Sequence, residues 1–193
     1  LSKVSEKLDC TTVHIDISNE DEVRSFFGST GKIDALVNNA GIWIPQNLVD
    51  MSTEDQAQVV QVNLMGTVFC TRYALDKLDK TSDSVIVNLT SAAAKTNSPG
   101  LGLYAASKSA IIGLGKSLSQ TLTPVTRTNI IAPGLVDQSS MFNEMKPERK
   151  EYHEKNNPLN CLLQKEALAE IIYELTTEKW NHLNGAIIPI NGG

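Results

Sequence analysis

The chain has 193 residues, 41% of them hydrophobic, and a formal net charge of -5 from 17 basic and 22 acidic side chains. That length favours one domain, residues 1–193, around one sizeable core, and the lack of a long block of either sign speaks against nucleic acid or an anionic membrane as partner. Cys10, Cys70 and Cys161 are odd in number and widely spaced, which suits reduced thiols in a cytoplasmic protein better than a disulfide framework or a zinc site.

In chain order, residues 1–8 carry Leu1, Val4 and Leu8 at helical spacing and predict the tail of a helix. Residues 11–15, Thr-Thr-Val-His-Ile, predict a β-branched strand ending at Asp16 and Ile17. Ser18 with Asp21 forms a capping-box pattern ahead of a short helix over 20–27. A buried strand over 33–37 follows and runs into Asn38-Asn39-Ala40-Gly41, whose small residues allow the backbone close to a ligand. Ser52 with Asp55 opens a long helix that contains Asn63, a residue type that slightly disfavours a helix interior.

The apolar run 85–89 predicts a buried strand that ends just before Ser91. Small and polar residues over 92–101 mark a loop, with a turn at Ser98-Pro99-Gly100. Residues 102–121 predict a helix, then 126–132 a strand that turns away at Pro133-Gly134-Leu135-Val136. Residues 137–163 are polar and are expected to be irregular; a helix over 165–176 and a strand over 186–190 complete the pattern. His14, His153 and His182 show no metal-ligand spacing, so no metal site is expected. Gly100-x-Gly102-x-x-Ala105 and Ala110-x-x-x-x-Gly115-Lys116-Ser117 imitate phosphate-binding loops, but neither sits between a strand and a helix start.

The chemistry concentrates at Ser91 and Tyr104-Ala105-Ala106-Ser107-Lys108. On a helix, Tyr104 and Lys108 share a face. A free tyrosine has a pKa of about 10 and is a poor base near neutrality. A lysine charge about 4 Å away, at an effective dielectric near 20, favours the phenolate by roughly 4 kcal/mol before desolvation is subtracted. A hydroxyl at Ser91, at the carboxyl end of a strand where open α/β sheets bind ligands, could hold a substrate oxygen against the phenol. Proton transfer at a carbonyl or alcohol is the chemistry that uses such a set.

Asn38-Asn39-Ala40-Gly41, Asn63, Ser91, Tyr104-x-x-x-Lys108 and Pro133-Gly134 occur together in the order of the short-chain dehydrogenases/reductases, and the chain resembles that family over nearly its whole length. The resemblance implies an α/β fold: a Rossmann-like, doubly wound parallel sheet in a three-layer α/β/α sandwich. It implies NAD or NADP as cofactor, a small-molecule carbonyl or alcohol substrate, and a homodimer or homotetramer built on the two long helices.

It also implies roles. Tyr104 is the general acid/base, Lys108 lowers its pKa and holds the nicotinamide ribose, Ser91 orients the substrate oxygen, and Asn63 relays a proton. Asp16 and Ile17 take the adenine; Asn38, Ala40 and Gly41 border the adenosine ribose or tie the sheet. Pro133, Gly134 and Val136 lie under the nicotinamide, and residues 137–163 form a substrate lid.

There are departures from the family. Gln138 stands where a threonine is usual and Asn191 where an aspartate is, and the glycine-rich first strand-helix-strand unit is missing ahead of Leu1. In the family's order two strands separate 11–15 from 33–37, which leaves an expected gap of roughly 14 Å in the sheet. The expectation is either an incomplete record of a longer chain or a short chain that holds cofactor poorly. A non-catalytic binding or regulatory protein that retains the fold is the alternative reading.

Overall fold

The computed structural model describes residues 8–79, 84–96 and 99–193. Strands Ser84–Leu89 (β2) and Thr126–Pro133 (β3) are buried at every position. Burial on both faces explains the apolar runs Val85-Ile86-Val87 of β2 and Ile130-Ile131-Ala132 of β3, whereas Thr126 to Asn129 at the start of β3 are polar and buried. Ala35–Asn38 (β1) and Ile187–Ile190 (β4) flank them, and all neighbouring pairs are parallel in the order β1-β2-β3-β4.

Parallel strands need covered faces, and the helices supply the cover. Glu20–Ser29 (α1) packs Val23 and Phe27 against Phe69, Cys70 and Ala74 of Thr67–Ala74 (α3), over Leu36 of the sheet. Gly102–Thr121 (α4) lies on the same face, with Gly115 close against Ile130. Ile131, one residue on, points to the opposite layer, where Lys165–Leu175 (α7) packs Leu168, Ile171, Ile172 and Leu175 on Val85, Val87 and Leu89. The result is the expected three-layer α/β/α sandwich, with a four-stranded sheet among the described residues.

Thr53–Val60 (α2) and α3 are joined without a break by the π-helical turn Gln61–Gly66, and Ser52 caps the start by accepting from Asp55 N–H at 3.0 Å. Helix α4 has the bounds that its periodicity predicted. All four strands end on one side, so the segments after Asn38, Leu89, Pro133 and Ile190 meet along one rim.

Four expectations are corrected. Residues 11–15 form no strand among the described residues. β-branched residues favour a pleated surface, but a strand exists only with a ladder partner, and none lies beside them. Together with residues of α1 they line a groove of about 940 Å³. The cap of α1 is Asn19, whose Oδ1 accepts from the backbone of Asp21 and Glu22; Ser18 instead bonds Asp16 at 2.7 Å. The polar stretch 137–163 holds two short helices, Ser140–Glu144 (α5) and Pro147–Lys155 (α6), the first capped by Ser139. The loop 92–101 begins with a 3-10 turn, Ala92–Ala94. The helix expected over 1–8 lies, but for Leu8, outside the described residues.

Candidate active site

Ser91 follows β2 and opens the 3-10 turn, accepting from Ala93 N–H at 3.2 Å. Its own proton is therefore free to point towards the phenol of Tyr104, whose ionised form the hydroxyl favours. Tyr104 sits in the first turn of α4 and is 7% exposed. Burial drives its pKa above the usual tyrosine value, and the Ser91 hydroxyl, by bonding the phenolate, pulls the other way.

Lys108 lies one turn further along α4 and is 5% exposed. Its Nζ donates to the Leu89 carbonyl at 3.0 Å. Burial pushes its pKa down from 10.5 to about 8. The expected dominance of Lys108 over the phenol's acidity is thus not what the geometry gives: the ammonium faces the strand end, and desolvation of Tyr104 outweighs the help from Ser91.

This turn of α4 is tied down on three sides. Thr90 Oγ1 donates to the Lys108 carbonyl at 2.6 Å, and Ser107 Oγ donates to the Tyr104 carbonyl at 2.7 Å. Asn63, fully buried inside the π-helical turn, donates to Ser107 Oγ at 3.1 Å and clamps Ile42 through both its N–H and its carbonyl, at 2.8 and 2.9 Å. π-helical turns recur at functional sites because they re-aim a side chain; here the extra residue aims the Asn63 amide at the loop after β1. Gly41 in that loop sits in a tight place, since a Cβ would lie 3.1 Å from both Asn63 Oδ1 and Lys108 Nζ.

Two cavities adjoin along the rim. One, of about 260 Å³, is lined by Asn39, Gly41, Tyr104, Lys108, Pro133, Gly134 and Val136 among others. The second, of about 240 Å³, reaches out under α5 and α6 and contains Arg149 and His153. Ser91 and Tyr104 border both, whereas Lys108 borders only the first. Gly134 stays small because a Cβ would meet Asn191 Cα at 2.9 Å.

Asp16, Ile17 and Ala40 line a third, open cavity of about 580 Å³ further along the rim. Asp16 accepts from Ser18, and these bonds hold its carboxyl below the usual range. Asn38 is not brought to a cavity. It is buried and donates to Asn88 Oδ1 at 2.8 Å and Thr71 Oγ1 at 3.1 Å, so it ties β1 to β2 and α3, while Asn39 takes the rim position. Gln138 adopts a left-handed φ of 54° and lines neither of the first two cavities; Ser139 and Ser140 reach the first instead.

Trp43 and Arg149 are site residues that sequence reasoning passed over. Trp43 Nε1 donates to Glu144 Oε2 at 3.2 Å across 101 residues, joining the loop after β1 to α5 above the cavities. No local pattern announces such a contact.

Ser91, Tyr104 and Lys108 converge where the parallel strands of this α/β domain end, and comparison with known proteins identifies a family of oxidoreductases. The profile of the family described as enoyl-(acyl carrier protein) reductase matches residues 1–193. The 3-oxoacyl-(acyl-carrier-protein) reductase FabG of Staphylococcus aureus is 30% identical over 191 residues, covering 96% of this chain and 77% of that protein. FabG of Thermotoga maritima is 34% identical over 164 residues, 84% of this chain and 66% of that protein. The crystal structure of 3-oxoacyl-(acyl-carrier protein) reductase from Brucella melitensis superposes with a TM-score of 0.90 at 30% identity, covering 100% of this chain and 76% of that one. The chain belongs to the short-chain dehydrogenase/reductase family and resembles its FabG members.

Proposed function

We propose that the protein is an oxidoreductase that moves a hydride between NAD or NADP and the carbonyl/alcohol carbon of a small molecule. The observation that carries this reading is the shared wall: Ser91 and Tyr104 stand between two adjoining cavities, with Lys108 in one of them only. The nicotinamide cofactor, when bound, supplies the hydride.

The residues present fit that group. Gly41 and Gly134 line the cavity without a side chain, and the Lys108 ammonium, with one of three donors on Leu89, keeps others for a ribose. Asn39, Gly41, Pro133, Gly134 and Val136 would border the nicotinamide half, and Asp16, Ile17 and Ala40 the adenine half. Asn38 serves as the buttress behind them.

In reduction Ser91 holds the carbonyl oxygen and Tyr104 gives it a proton; in oxidation Tyr104 takes the alcohol proton. The raised pKa of Tyr104 favours the acid role near neutrality. Lys108 sits beside the proton path, and Asn63 fixes the loop and the helix turn that aim both. Three cysteines without a disulfide among them suit a reducing, cytoplasmic setting, and no helix among the described residues is long and apolar enough to cross a membrane. Assembly into a homodimer or homotetramer through the outer faces of α2 and α4 completes the proposal.

The test is consumption of NADH or NADPH with a panel of ketones and aldehydes by the protein and by Tyr104→Phe. Turnover that falls on the order of 10² to 10⁴-fold in the variant supports the reading. Undiminished turnover without the phenol defeats it.

A further inference from the structure

Deepening the reduction chemistry proposed above, and resting on it, we propose that the substrate carries an anionic group, a carboxylate or phosphate, held by Arg149, which lines the same cavity as Ser91 and Tyr104.

Arg149 lies on α6, partly buried, and lines the same cavity as the Ser91 and Tyr104 side chains. A guanidinium offers five N–H donors in a planar fork that matches a carboxylate or phosphate. The bond found for it is a long one, Nη2 to the Pro99 carbonyl at 3.4 Å, and no ion pair engages it among the described residues. A partly desolvated cation so sparsely engaged holds donors ready for a ligand.

The surrounding charges point the same way. No aspartate or glutamate side chain lines this cavity. Glu144, the acid at its rim, accepts the Trp43 indole, and Gly193, which also borders it, packs against Pro158. Lys150 is turned onto the Phe142 ring at 4.6 Å, away from the lining set. Glu148 and Glu151 do not line it either. His153, one helical turn after Arg149, is held below its usual pKa by burial and by the Arg149 charge, so near pH 7 it adds no second charge. Arg149 is thus the one positive side chain lining the cavity, with no aspartate or glutamate side chain beside it in the lining.

The cavity has room for a small oxo acid or ketone phosphate beside Ser91 and Tyr104, and the test pairs are chosen at that size.

The experiment compares wild type, Arg149→Met and Arg149→Lys in cofactor-consumption assays on two pairs: 4-oxopentanoate against its methyl ester, and dihydroxyacetone phosphate against dihydroxyacetone. Wild type is expected to prefer the anion of at least one pair about 10- to 100-fold in kcat/KM, through KM. Arg149→Met loses that preference, Arg149→Lys keeps part of it, and the pair that responds identifies the anion. Equal use of anion and neutral partner by wild type, or a preference that survives Arg149→Met, overturns the assignment.

Binding of 4-oxopentanoate and of dihydroxyacetone phosphate, read from Trp43 fluorescence in Tyr104→Phe with and without Arg149→Met, separates this idea from the one beneath it. Arg149-dependent binding with no turnover of any carbonyl by wild type sinks the oxidoreductase reading and leaves the anion site standing. Turnover without anion preference does the reverse, and neither turnover nor Arg149-dependent binding sinks both.

Discussion

Lys108 titrates where its burial can be read directly as stability. Its pKa falls from 10.5 to about 8 on folding, with desolvation as the cause. At about 1.4 kcal/mol per pKa unit, that difference amounts to about 3 kcal/mol. Between pH 8 and 10.5 the unfolded chain binds a proton at this position that the folded protein has released, so stability rises with pH across that window. Below pH 8 the penalty of holding a buried ammonium is present in full.

Replacing Lys108 with Met removes the titration while keeping most of the side-chain volume. Urea unfolding of wild type and Lys108→Met at several pH values from 7 to 10.5 gives the difference in stability, in which groups common to both proteins cancel. That difference is expected to move in favour of wild type by about 3 kcal/mol between the two ends. A difference independent of pH would show that the ammonium is not desolvated in the folded protein and would remove the electrostatic account of this helix turn.

Three further outcomes follow from the same geometry. Ser91→Ala removes a hydroxyl that favours the Tyr104 phenolate, so kcat for alcohol oxidation should fall on the order of 10² to 10³-fold and its rise with pH should move to higher pH, as a pH–rate profile would show. In wild type, alcohol oxidation should climb through the alkaline range, about tenfold per pH unit while the phenol stays protonated, because burial keeps its pKa high; a plateau already at pH 7 would contradict this. Gly41→Ala forces a Cβ to within 3.1 Å of Lys108 Nζ and Asn63 Oδ1, and should cost about 1–3 kcal/mol in denaturant unfolding.

Helix α4 was legible to the residue because twenty positions of helical periodicity average out local noise. Strand β2 was legible because burial on both faces leaves a mostly apolar run bounded by polar residues, and β3 shows such a run only over Ile130-Ile131-Ala132. Residues 11–15 misled for the opposite reason: Thr, Val and Ile state a preference for a pleated environment, and only a neighbouring strand can satisfy it. The helices inside 137–163 escaped because α5 is five residues long and α6 is polar on nearly every face.

At the site, spacing was enough to put Tyr104 and Lys108 on one helical face. It could not report that the lysine amine turns to the Leu89 carbonyl, since that depends on where β2 ends. Asn38 and Asn39 are indistinguishable by type; the pleat of β1 decides that one ties the sheet and the other meets the rim. Trp43 and Arg149 became visible only once the loop after β1 and helix α6 were seen to face one cavity.

The most direct measurement follows the hydride itself. The protein is given a ketone and NADH or NADPH deuterated at the nicotinamide C4 position that donates, and the alcohol is examined by mass spectrometry. One deuterium on the carbinol carbon, formed by wild type and lost together with turnover in Tyr104→Phe, is the predicted result. An alcohol free of label, or labelled product formed as quickly without the Tyr104 hydroxyl, would contradict the account.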